Sequence, residues 1–187
     1  MPAQQPHILH EDNHLLALNK PFGMLSQGDE TGDESLDAWA RHYLRTTYNK
    51  PGEAYLALLH RLDRPTGGVL LTAKTSKAAA RLTEQFKGRR VQKTYLAITE
   101  RVPQPEAGSL AHFLRKQGSK NIMQAYKKEV PHSKPAETRY QVLQTAGGRA
   151  LVALQPVTGR QHQLRAQLGA IACPIAGDVK YGKTSFL

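Results

Sequence analysis

Cysteine is almost absent from this chain, with a single residue, Cys173, among 187. One thiol excludes an internal disulfide and any cysteine-built metal cage. Acids are also scarce: fifteen Asp and Glu stand against twenty-six Lys and Arg, and the formal net charge is +11. No apolar run approaches the ~20 residues that span a bilayer. The N-terminus, Met1-Pro-Ala-Gln-Gln-Pro-His7, carries no positive region followed by an apolar stretch, so no signal peptide is read there. A cytoplasmic protein without a membrane partner is the expectation. There is no Gly-x-Gly-x-x-Gly and no P-loop, which gives a nucleotide cofactor no support. His60 and His162 lack a helical His-x-x-x-His context and a third ligand, so no metal is expected and the cofactor expectation is none.

What is present is positive charge, unevenly spread. Lys87 to Arg139 holds twelve basic residues and four acids, whereas residues 1–38 hold one Lys and seven acids. A one-sided excess of this kind is the footprint of a polyanion partner. Chain length predicts one well-buried core, hence a single domain over residues 1–187, with a monomer as the default.

Periodicity predicts a mixed fold. His7–Glu11 and Leu15–Lys20 read as short strands joined at Asp12-Asn13. Asp33 is a plausible cap for a helix to about Thr46, with Leu36, Trp39, Ala40, Tyr43 and Leu44 as its apolar stripe. Tyr55–Leu59 and Val69–Ala73 read as strands. Thr75 can cap a second helix that presents Ala79, Leu82 and Phe86 and stops before Gly88. Arg90–Thr99 is strand-like, and the Lys-rich stretch 114–135 reads as exposed hairpin or loop. Thr138–Gln144 and Ala150–Leu154 form a hairpin around Gly147-Gly148. A last helix is expected over roughly 160–171, with Gln161 and Arg165 sharing one face and Leu164, Leu168 and Ile171 turned inward. Mixed elements without regular alternation argue for an α+β fold with a largely antiparallel sheet.

The run His60-Arg61-Leu62-Asp63-Arg64-Pro65-Thr66-Gly67-Gly68 sets one carboxylate between two guanidiniums on a tight turn between two strands. Flanking cations favour an ionised carboxylate, which can serve as base or nucleophile. A turn-forming or ion-paired Asp is the plainer reading of position alone. A second cation-rich motif, Thr158-Gly-Arg160-Gln-His162-Gln-Leu-Arg165, lies far away in sequence. Tyr95 follows the basic run from Arg89 through Lys93; it reads either as a core tyrosine or as a phenol able to stack on a base or relay a proton.

These segments together resemble the RluA-type pseudouridine synthases. The His60–Gly68 run is similar to the family's signature, apart from Gly68, where Ser is usual. Asn19-Lys20-Pro-Phe-Gly-Met-Leu25 resembles its Lys-Pro-x-Gly motif, and Lys93-Thr-Tyr95 the strand that carries its Tyr. Thr158–Arg165, with Pro174-Ile-Ala-Gly-Asp178 and Tyr181-Gly182, resembles its C-terminal motif. The resemblance implies the pseudouridine synthase catalytic fold, without the N-terminal S4-like domain of some relatives. Relatives commonly continue for some tens of residues beyond Tyr-Gly, so C-terminal strands are expected to be missing.

The resemblance further implies an RNA pseudouridine synthase acting on a stem-loop uridine of rRNA or tRNA. Asp63 would be its essential carboxylate, acting on base or ribose. Arg165 would pair with Asp63, and Tyr95 would lie over the uracil and take the proton that leaves C5. The target base would be flipped out of its stack, with Arg61 filling the space. Lys20, Arg64, Lys93, Arg160 and His162 are expected to contact the RNA. A non-catalytic RNA-binding module on the same fold is the alternative. A carboxylate-dependent hydrolase lacks a second acid or triad partner.

Overall fold

The structure is a computed structural model that describes residues 5–118 and 121–182. It forms two compact units that divide between Arg90 and Val91, each organised around its own antiparallel sheet. The class is α+β.

In the first unit the strands β1 (His7–Glu11), β2 (Leu15–Lys20), β3 (Ala57–Leu58) and β4 (Gly68–Ala73) pair in the order β1-β2-β4-β3. The β1–β2 turn forms because the Asp12 carboxylate accepts from the amides of His14 (2.7 Å) and Leu15 (2.6 Å). Alternation along β2 buries Leu16, Leu18 and Lys20 completely, and Leu70 and Thr72 of β4 are buried likewise. Helix α1 (Leu36–Thr47) buries Leu36, Ala40 and Leu44, spaced four apart on one face. Its cap is Ser35, whose hydroxyl accepts from the Ala38 amide, and not Asp33. Both types cap well, but Asp33 is taken by an ion pair with Arg64. Helix α2 (Ser76–Lys87) has the expected Thr75 cap and ends at Gly88; Ala79, Leu82 and Phe86 are half-buried.

In the second unit β5 (Tyr95–Thr99), β6 (Ala107–Lys116), β7 (Met123–Tyr126), β8 (Lys134–Ala146) and β9 (Arg149–Pro156) pair in the order β5-β9-β8-β6-β7. The β8–β9 hairpin turns on Gly147 and Gly148, both with positive φ (56° and 76°), the conformation that two-residue hairpin loops demand. Of the 114–135 stretch, the end of β6 pairs antiparallel with β7, Leu114 is buried, and Lys134 already opens β8. The 90–99 strand is shorter than its pattern, beginning at Tyr95.

Helix α3 (Gln163–Ala170) starts three residues later than its pattern suggests. Gln161 therefore lies outside the helix, bonded to Asn121 Oδ1 at 2.7 Å, and shares no helical face with Arg165. Leu168 joins Leu110, Tyr140, Val152 and Leu154 in the core, while Leu164 and Ile171 pack at its border.

The buried side of α3 is not wholly apolar. Gln167 is fully buried; its amide donates to Leu110 O (2.8 Å) and Ala136 O (3.1 Å) and its carbonyl accepts from Thr138 Oγ1 (2.7 Å). These bonds tie the helix to β6 and β8 at a fixed height, which apolar packing alone would not specify. Replacing Gln167 by Leu, similar in volume, strands these polar partners. The expected decrease in unfolding free energy is about 1–3 kcal/mol, read from urea melts.

Candidate active site

The turn that carries Asp63 is fastened on both sides by the 20–26 loop. Ser26 Oγ donates to Leu62 O (2.7 Å) and accepts from Leu62 N (3.1 Å). On the other side Gly23 N donates to Arg64 O at 3.0 Å, and Arg64 Nε returns a bond to Gly23 O at 3.0 Å. Thr66 N closes the turn on Asp63 O (2.9 Å). A side chain at Gly67 would have its Cβ 3.3 Å from Lys20 O, so loop and turn meet backbone to backbone. Gly68 has φ 125°, a region open to glycine alone in practice. Asp63 itself is half-buried between these fixed neighbours.

Lys20 occupies the centre of this arrangement. Its ammonium donates to Met24 O (2.6 Å), Pro21 O (3.1 Å) and Arg64 O (3.3 Å), which uses all three of its protons. Burial pulls its pKa down to about 8, against the attraction of Asp63, which raises it, and with the help of Arg64, which lowers it. A fully buried ammonium cannot also hold a phosphate, so the expected RNA contact by Lys20 gives way to a structural role. Arg64 is likewise engaged: Nη1 meets Asp33 Oδ2 at 2.7 Å, although the side chain stays half-exposed. Arg61 is exposed. His60 accepts from Leu71 N through Nε2 (3.2 Å) and stacks on Phe86 at 5.3 Å, a packing role within the sheet. Lys20→Met should lower unfolding free energy by about 1–3 kcal/mol, since three carbonyls are deprived of their donor.

In the second unit Tyr95 pairs with Leu154 in the sheet, and its ring packs at the border of the core. Arg165 projects from α3 into a bidentate clasp with Asp178: Nε to Oδ2 at 2.7 Å and Nη2 to Oδ1 at 2.8 Å. Both side chains are largely enclosed, 12% and 4% exposed. Burial pulls the Asp178 carboxyl up, but the Arg165 guanidinium and the amides of Lys180 and Tyr181 outweigh it and hold it below 3.8. Arg165 also lies over the Tyr181 ring at 5.3 Å. His162 is buried, with Nδ1 3.0 Å from Tyr181 Oη, so its ring serves this cluster instead of an open RNA surface.

The turn into α3 is wrapped around Gln163. Its side-chain carbonyl accepts from Thr158 Oγ1 (2.8 Å) and Arg160 N (2.9 Å), and its amide donates to Glu137 O and Thr138 Oγ1 (both 2.9 Å). Arg160 is half-buried with Nε on Pro135 O (3.1 Å). Burial lowers the pKa of Lys93, which stands beside Gly159. Among the described residues no group of three or more His, Cys, Asp or Glu could hold a metal ion, and no helix is long and apolar enough to cross a membrane.

Asp178→Asn should cost about 3 kcal/mol at pH 7, as expected when a buried pair is left with one charge. Because the folded carboxyl titrates below its unfolded value, this stabilisation is complete above 3.8 and disappears as pH falls through the folded pKa. Urea melts of both proteins should therefore converge toward pH 2 and diverge above pH 5.

The first unit thus carries a carboxylate on an anchored turn, and the second a guanidinium clasped by Asp178. Residues 14–170 match the family model described as RNA pseudouridylate synthase, and the chain belongs to that family. It is 39% identical over 182 residues to the ribosomal large subunit pseudouridine synthase C of Escherichia coli (strain K12), covering 96% of this chain and 54% of that protein. The protein of the same description from Rickettsia bellii is 36% identical over 182 residues, with 97% and 58% covered. The solved structure of human RNA pseudouridylate synthase domain containing 4 superposes with a TM-score of 0.80 at 34% identity, covering 96% of this chain and 72% of that one. The chain thus spans little more than half the length of these curated relatives.

Proposed function

We propose that this chain is an RNA pseudouridine synthase whose essential carboxylate is Asp63, acting on uridines of ribosomal RNA in the cytoplasm, as a monomer. The observation that carries the reading is the double anchoring of the Asp63 turn, through Leu62 to Ser26 and through Arg64 to Lys20 and Gly23. A carboxylate that only faced solvent would not need its backbone immobilised on both sides. The relatives' description as ribosomal large subunit enzymes supports rRNA as the substrate class.

The reaction is an isomerisation and needs no net input. The bond from N1 of uracil to C1′ of ribose breaks, the base turns, and C5 bonds to C1′. The proton on C5 leaves and N1 gains one. Asp63 supplies the anion that starts the exchange, as nucleophile or as base. Tyr95 is assigned the removal of the C5 proton, and Arg165, immobilised by Asp178, a fixed positive charge. The target nucleotide is extruded from its helix or loop, which costs a few kcal/mol of unstacking. Arg61, exposed and two residues before Asp63, is assigned the vacated stack. Lys93, Arg64 and Arg160 are assigned phosphate contacts.

Asp63→Asn should abolish pseudouridine in rRNA transcripts, a drop of at least ~10³-fold, while RNA affinity changes by less than about threefold. Chemical mapping of pseudouridine and a filter-binding titration read the two quantities. Retained activity would contradict the assignment. Binding without product by the parent protein in every RNA would instead mark a non-catalytic module.

A further inference from the structure

The second unit contains a pocket of about 350 Å³ that the reaction and its assigned residues do not use in full. Met123 of β7 lines it, with buried Leu114 of β6 behind, and Lys116, Lys134, His132 and Arg160 complete the lining. The cations come from three places in the chain: the end of β6, the start of β8 and the turn before α3. Like charges do not gather without a reason. Lys116 and Lys134 are exposed, and neither they nor Arg160 pair with a carboxylate among the described residues. Two enclosed cations elsewhere in the fold do have acid partners, Arg165 with Asp178 and Lys74 with Glu11.

The walls are held in place. Gln161 bonds to Asn121 across the pocket's edge (2.7 Å), and Arg160 is anchored to Pro135 O. Gly159 contributes no side chain, and Lys93 Nζ lies 3.8 Å from where its Cβ would be. His132 sits in the left-handed region (φ 63°) at the tip of a turn closed by Ser133 on Val130.

Unpaired cations around an apolar floor match the two halves of a nucleotide, phosphate and base. The volume lies within the ~300–1,000 Å³ of small-ligand sites. We propose that this pocket is a second nucleotide subsite, taking a splayed-out nucleotide of the RNA other than the reacting uridine. Its phosphate lies on Lys116, Lys134 and Arg160, and its base lies on Met123. The proposal rests on the RNA reading and adds where a second, non-reacting nucleotide is gripped.

The three methionines, Met1, Met24 and Met123, make a methyl-labelled sample of the full chain directly informative. Single-stranded pentauridylate, uridine monophosphate and inorganic phosphate are titrated while the methionine methyl signals are followed by NMR. Pentauridylate should shift the Met123 signal saturably. Lys116→Gln with Lys134→Gln should weaken that binding at least tenfold. The same variant should lower the slope of log affinity against log salt by about 0.7 for each phosphate it no longer neutralises. The far-ultraviolet circular dichroism and urea midpoint of the free variant should match the parent, reporting an intact fold. In rRNA turnover the impairment should fall on KM.

An unmoved Met123 signal overturns the proposal, as does an equal shift in parent and variant. A shift produced as strongly by inorganic phosphate as by pentauridylate also overturns it, leaving a bare anion site. Product formation with an unmoved Met123 removes the subsite and keeps the synthase reading. A Met123 shift abolished in the variant, with no product from any RNA, keeps the subsite and removes the synthase reading.

Discussion

A catalytic carboxylate is useful only if its position survives the thermal motion of the turn that carries it. For Asp63, the carboxylate proposed as catalytic, the backbone is anchored on each side. Ser26 makes a two-way bond with Leu62, and Lys20 and Gly23 both hold Arg64 O. The arrangement depends on a fully buried ammonium with its three protons directed at three carbonyls. It depends equally on Gly67, since any side chain there would press against the Lys20 carbonyl. Lys20 closes β2 opposite Gly68 of β4, so the register of the sheet and the geometry of the turn are a single solution.

The second unit solves a related problem with polar side chains. Gln163 and Gln167 satisfy Thr138, Thr158 and a set of main-chain groups, and so fix α3 against its sheet in one position. From that helix Arg165 reaches Asp178 in a two-bond clasp that leaves the guanidinium no rotational freedom. The cations of this chain thus fall into two populations. Lys20, Lys74 and Arg165 are held by internal oxygens and maintain structure. Lys116 and Lys134 are exposed and have no acid partner among the described residues.

Local signals were readable without the structure wherever the deciding contacts are short in sequence. Thr75 and Gly88 bound α2 through bonds within one turn, and Gly147-Gly148 marks its hairpin by backbone freedom alone. The Asp63 run, Tyr95 and the 158–165 motif were legible as a group by family resemblance. Long-range partners decided the rest. Asp33 and Ser35 are equally good caps by type, and Arg64, thirty-one residues away in sequence, draws Asp33 elsewhere. Lys20 and His162 read as surface cations by type, yet tertiary packing encloses both. Strand β6 was hidden by Gly108 and by the prolines at 103 and 105, which interrupt alternation before it begins. Asp178 lay within a recognised motif, but no local spacing links it to Arg165, thirteen residues earlier.

The central claim is that the carbon at position 5 of a uridine gives up its hydrogen to become the glycosidic carbon. Ribosomal RNA transcribed with uridine tritiated at C5 tests this directly, by release of tritium to water on incubation with the full chain. The account predicts release that rises to a plateau of a whole number of uridines per transcript and matches the pseudouridine recovered from the same RNA. Tritium retained in RNA that the protein demonstrably binds would contradict it.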